Sequence, residues 1–107
     1  MFFSYPEGFK ERKLFPGVTI RTAWGEKIML SFVELQPDGV VPLHRHPHEQ
    51  MGTVIEGEFE LVIAGEARRV KKGDSYLVRS GVEHSARAFD TPALALDIFS
   101  PPREDYK

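Results

Sequence analysis

The strongest constraint on this chain is the spacing of its breaks. Gly, Pro or charged pairs interrupt it every few residues, and no long window carries apolar residues at helical spacing. Between the breaks lie short β-rich runs: 18–24, 27–35, 40–44, 51–56, 58–64, 66–70, 75–78, 84–89 and 94–99. Within 58–64, Phe59, Leu61 and Ile63 alternate with Glu58, Glu60 and Val62, the period of a strand with one face in a core. Many short strands with frequent turn signals predict an all-β sandwich or barrel. Pro37-Asp38-Gly39, Glu56-Gly57, Ala64-Gly65 and Lys72-Gly73-Asp74 are turn sequences in which glycine is expected at positive φ. Gly65 and its neighbours should close a tight hairpin. Pro101-Pro102 should end the last strand, because proline cannot donate to a ladder.

A length of 107 residues predicts one domain spanning 1–107, with one modest core. The net charge of -2 lacks the basic footprint of a nucleic-acid binder. No apolar stretch approaches the roughly 20 residues of a membrane span. The start, Met1-Phe2-Phe3, lacks the basic and apolar regions of a secretion signal, so the expected location is the cytoplasm. Residues 1–17 are expected to form an N-terminal arm. With Trp24, its aromatic residues Phe2, Phe3, Phe9 and Phe15 suit either a cover for the core or a dimer-forming surface. There are no cysteines, which excludes thiolate zinc, iron–sulfur clusters and a Cys nucleophile. A bound metal would have to use His, carboxylate, amide or water.

The four histidines fall in two places: His44, His46 and His48 together, and His84 alone. Positions i and i+2 of a strand share a face, so His44 and His46 can converge inside a barrel. Gln50 can return to the same point after Pro47, and His84 can reach it from another strand. Three imidazoles and one amide oxygen make a first set of ligands for a divalent transition metal. His48 is expected to stay outside that set, because Pro47 disturbs the alternation.

The stretch from Gly39 through His44-Arg45-His46, then Gln50, to Gly57 resembles the first motif of the cupins. The stretch from Gly73 through Gly81 and His84 to Ala88 resembles their second. Fifteen residues separate Gly57 from Gly73, which suits a compact cupin. Four residues rather than about five separate Gly39 from His44; Arg79 stands where the second motif has Pro, and Ala88 where it has Asn. The resemblance implies a cupin double-stranded β-helix (jelly-roll) barrel, with motif 1 at 39–57 and motif 2 at 73–88. It implies His44, His46, Gln50 and His84 as ligands of a divalent metal, whether Ni, Zn, Mn, Co or Fe. Gln50 stands where a Glu ligand is commonest, and the adjacent Glu49 is the alternative. Cupin habit and the aromatic arm together imply a homodimer.

Three His and one Gln are neutral, so a divalent ion would keep its full charge and act as a Lewis acid. An anionic ligand would suit oxidised iron better. In the C-terminal strand and tail, 94–107, Asp97 and Phe99 share one face of a strand, while Leu94, Leu96 and Ile98 share the other. A carboxylate among apolar neighbours needs a partner if buried. Together, the His-rich segment and Asp97-Ile98-Phe99-Ser100-Pro101-Pro102-Arg103 are similar to small cupins of pectin and alginate breakdown, which linearise 4,5-unsaturated uronates. That resemblance implies Asp97, Phe99 and Arg103 as the catalytic group and a carboxylated sugar as the small-molecule partner. Arg103 would grip the substrate carboxylate bidentately, Asp97 would shuttle a proton, and Phe99 would shape the wall. A cupin dioxygenase acting on a small organic acid and a non-catalytic sugar-binding cupin are the other readings.

Overall fold

The computed structural model describes residues 1–107. Ten strands follow one another: β1 (Lys10–Phe15), β2 (Val18–Trp24), β3 (Met29–Leu35), β4 (Val40–His44), β5 (Glu49–Glu56), β6 (Glu58–Ile63), β7 (Glu66–Lys71), β8 (Ser75–Val78), β9 (His84–Ala88) and β10 (Ala93–Ser100). A short 3₁₀ turn, Glu104–Tyr106, follows them. The strands make two antiparallel sheets, ordered β1-β2-β3-β10-β5-β8 and β4-β9-β6-β7. This is the expected all-β jelly roll. No helix is long and apolar enough to cross a membrane.

The core is where the two inner faces meet. Val18, Leu35, Val54, Ala93 and Ala95 come from the larger sheet, and Phe59, Leu61, Val70 and Ala88 from the smaller. Strand alternation produces the core: in β10, Ala93, Ala95, Asp97 and Phe99 are buried while Leu94, Leu96 and Ile98 are half-exposed. Fully burying a side chain such as Phe59 stabilises by about 1.5–3 kcal/mol.

Register decides what stands beside what. Asp97 on β10 faces Ser31 of β3 on one side and Gly52 of β5 on the other. Gly52 in turn faces Tyr76 of β8, and Ser31 faces Thr22 of β2. A row of small and polar residues therefore crosses the larger sheet at the level of Asp97.

Three details differ from expectation. Residues 1–17 are not all arm: Lys10–Phe15 is a strand paired with β2. Its Lys-Glu-Arg-Lys start obscures the β pattern, and such charges are what protect an edge strand from further pairing. The segment before it crosses the outer face of the larger sheet, where Phe9 and Tyr5 pack on Phe32 and Tyr5 Oη donates to Glu34 at 2.6 Å. In Pro37-Asp38-Gly39 the positive φ belongs to Asp38, at 62°; Gly39 is needed because a side chain there would meet the Gly17 carbonyl. The hairpin at Ala64-Gly65 is as expected, with φ of 51° and 79°, the signature of a two-residue type I′ turn.

Candidate metal centre

The candidate ligands come from both sheets at one end of the barrel. His44 ends β4 and His84 begins β9, directly opposite each other in register. Gln50 is the second residue of β5. His46 lies beyond the end of β4, in a loop, so strand alternation is not what aims it inward. A hydrogen bond does part of that work: the Gly81 N–H donates to the His46 carbonyl at 2.9 Å, tying this loop to the turn that precedes His84. The ligating atoms of His44, His46 and His84 all lie within 4.8 Å of one another.

Each imidazole is oriented in the same way. Nδ1 of His44, His46 and His84 pairs with the carbonyl oxygens of Pro42, His48 and Val82, at 2.8, 3.0 and 2.9 Å. A carbonyl only accepts, so the ring proton sits on Nδ1 and Nε2 keeps its lone pair. Nε2 of His84 is buried without a hydrogen-bond partner. Nε2 of His46 lies 3.0 Å from Oε1 of Gln50, whose amide nitrogen is engaged with Asp97. Two lone pairs thus face each other, an arrangement a shared cation satisfies. The residues fit a divalent metal bound by three imidazoles and one amide oxygen. His48 serves through its carbonyl, outside the ligand set. Glu49 is exposed while Gln50 is buried, so Gln50 is the better placed of the two.

Burial also sets the charge states. It lowers His46 to about 4, helped by the positive charge of Arg103 and by His84, and it lowers His84 as well. Both rings are therefore neutral near pH 7, as ligands must be. Asp97 moves the other way, raised to about 6 by burial against the pull of its hydrogen bonds from Tyr76 and Gln50 and the charge of Arg103. Tyr76 Oη donates to Asp97 Oδ1 at 2.7 Å.

Arg103 is buried, with its guanidinium 3.8 Å from the centre of the Tyr106 ring and 5.3 Å from that of Phe99. Asp105 accepts from Nε at 3.2 Å and from Nη2 at 2.8 Å. The expected side-on grip on a substrate carboxylate is therefore already taken, while Nη1 is buried without a partner. The tail is held down where Thr22 Oγ1 donates to the Tyr106 carbonyl at 3.2 Å and Arg12 donates to that of Lys107. A narrow cavity of about 50 Å³ runs from His44, Gln50, His84, Asp97 and Arg103 into the apolar barrel.

All seven residues singled out from the sequence thus gather at this end. Sequence reasoning missed Tyr76, Gly52, Asp105 and Tyr106. Asp105 and Tyr106 were legible as an acid and an aromatic ring just beyond Arg103, whereas Tyr76 and Gly52 meet Asp97 only through sheet register.

Residues 31–99 match the family model described as cupin domain. The chain is 32% identical over 84 residues to the pectin degradation protein KdgF of Dickeya dadantii, covering 78% of this chain and 76% of that protein. It is 36% identical over 95 residues to the auxin-binding protein ABP19b of Prunus persica, of whose length it spans 43%. The solved structure of KdgF from Halomonas sp. superposes with a TM-score of 0.90 at 29% identity, over 100% of this chain and 99% of that one.

Proposed function

The chain belongs to the cupin domain family, and from that premise we propose that it is a metal-dependent enzyme that linearises 4,5-unsaturated uronates. The observation carrying this reading is that three kinds of group line one cavity: the candidate ligands His44, Gln50 and His84, a buried carboxyl at Asp97, and a buried guanidinium at Arg103 with Nη1 free. Likeness to two proteins named KdgF, one of them a pectin degradation protein, supports the substrate class.

A divalent metal held by His44, His46, Gln50 and His84 would supply Lewis acidity toward a hydroxyl or ring oxygen. Arg103 receives the substrate carboxylate at Nη1, a charge-assisted contact that orients the sugar. Asp97 takes the proton of the C1 hydroxyl as the bond between C1 and the ring oxygen breaks, leaving an aldehyde at C1 and an enolate at C5. The same carboxyl gives that proton to C4 as the enolate becomes a ketone, so no atom is gained or lost. A carboxyl lifted to about 6 suits both directions of transfer. Phe99, packed edge-on to His46 at 5.6 Å between ring centroids, forms the wall beside the reacting carbons. Half-exposed Leu30, Phe32, Leu94, Leu96 and Ile98 on the outer face of the larger sheet support the companion reading of a homodimer, which sedimentation tests.

The test is the decay of unsaturated-uronate absorbance with purified, metal-loaded protein. Decay faster than the spontaneous rate is expected; decay at the spontaneous rate defeats the reading. The apolar lining behind the site, including Ile20, Val33, Leu35 and Leu61, favours a second reading, a dioxygenase acting on a small organic acid. Oxygen uptake that depends on such an acid would select it.

A further inference from the structure

We propose that Tyr76 is a positioning residue, which holds Asp97 across a gap that Gly52 leaves in the sheet. The inference rests on the role given to Asp97 above and adds to it the device that sets where its carboxylate points.

Tyr76 and Asp97 are not on neighbouring strands. Strand β5 runs between β8 and β10, and Gly52 faces both residues in register. Strands two apart are separated by roughly 9.5 Å, a span that a tyrosine can cross only if the residue between has no side chain in the way. A methyl group at Gly52 would land on Oδ1 of Asp97 and on the Tyr76 ring. The glycine is therefore required by close approach rather than by its backbone conformation, and Tyr76 Oη reaches Oδ1 at 2.7 Å over it.

The other neighbours cannot do this work alone. Ser31 stands opposite Asp97 on the far side, but its Oγ is buried without a partner. Gln50 touches Asp97 while its oxygen is directed at His46, so it serves the ligand set as well. The Tyr76 hydroxyl serves Oδ1 alone, and burial beside a carboxylate keeps the phenol protonated as a donor. With Oδ1 held by the phenol, the carboxylate keeps one orientation from which to exchange protons with a ligand.

Tyr76→Phe keeps the ring and removes only the donor. In crystals, Asp97 should keep a single orientation in the wild type and turn away or split in Tyr76→Phe. In the linearisation assay, kcat should fall roughly ten- to hundredfold, the penalty of a slightly misplaced catalytic group. KM and metal content should stay near wild type, because Arg103 and the ligands are untouched. Gly52→Ala should reproduce the kcat loss by pushing the same pair apart. An unmoved Asp97 with wild-type kcat in Tyr76→Phe overturns the proposal. So does a loss of metal content together with a raised KM alongside the fall in kcat, the mark of a merely structural residue. If the wild type is inactive on uronates, the assigned substrate falls, while the crystal comparison still decides whether Tyr76 positions Asp97.

Discussion

The two ends of this barrel are built on opposite terms. At one end Val18, Leu35, Val54, Phe59, Leu61, Val70, Ala88, Ala93 and Ala95 pack with no polar side chain among them. At the other, His46, Gln50, His84, Asp97 and Arg103 are buried together. Buried atoms there, among them Nε2 of His84, Nδ1 of His48, Nη1 of Arg103 and Oγ of Ser31, have no hydrogen-bond partner. Each such atom costs about 1–3 kcal/mol, which the apolar end must offset. Strand β10 passes from one regime to the other, Ala93 and Ala95 lying in the first and Asp97 in the second. The contrast teaches that stability and ligand chemistry are separable along a single strand, and that each end should fail in its own way.

The sharpest break in the comparison is His84→Ala. It should abolish tight metal binding and reduce turnover to background, yet leave the fold intact; metal analysis beside circular dichroism checks both. Asp97→Asn should cut activity roughly 10²–10⁴-fold, the usual contribution of a positioned proton carrier, with metal content unchanged. An active Asp97→Asn would remove the carboxyl from the chemistry. At the opposite end, Phe59→Ala should cost about 3–5 kcal/mol in denaturant unfolding while the folded fraction binds metal normally. A large drop in metal affinity there would show that the ends are coupled.

Acid should separate the ends more gently, in metal-free protein. His46 is held at about 4 when folded but titrates near 6.5 when unfolded, so the unfolded chain binds more protons between those values. Stability therefore falls as pH drops through that window, and His84 shifts in the same direction. Asp97 opposes them: held at about 6 when folded against 3.8 when unfolded, it removes stability as pH rises through that interval. Two histidines outweigh one carboxyl, so acidification below 6.5 should destabilise. Asp97→Asn should steepen that fall, and Phe59→Ala should lower the whole curve without changing its slope. The smallest effect belongs to Glu49→Gln, within about 0.5 kcal/mol and with metal content unchanged. A loss of metal would move the fourth ligand from Gln50 to Glu49.

The same contrast explains what could be read beforehand. The apolar end is written in local alternation, as in Phe59 and Leu61, and its strands were legible to within two residues at most termini. The candidate ligand set was legible because His44, His46 and Gln50 are close in sequence and His84 follows a recognisable turn. Strand β1 was not, since its residues are chosen for an exposed edge rather than a core. Gly52 and Tyr76 were hidden for another reason. Nothing within a few residues of either shows that Asp97, more than 20 positions away, will pair beside them. Register across three strands is a property of the closed sheet.

On the proposed reading, in which Arg103 receives a substrate carboxylate, the clamp of Asp105 on Arg103 has a consequence for selectivity. A tethered carboxylate is a competitor at fixed and high local concentration, so every arriving anion is measured against one already seated at 2.8 Å. Weak or badly shaped anions gain only the spare Nη1 contact, whereas the full fork goes to a ligand that can displace Asp105. Neutral sugars, which cannot compete for a guanidinium, gain nothing. The mouth of the barrel thus ranks its visitors by difference rather than by attraction alone.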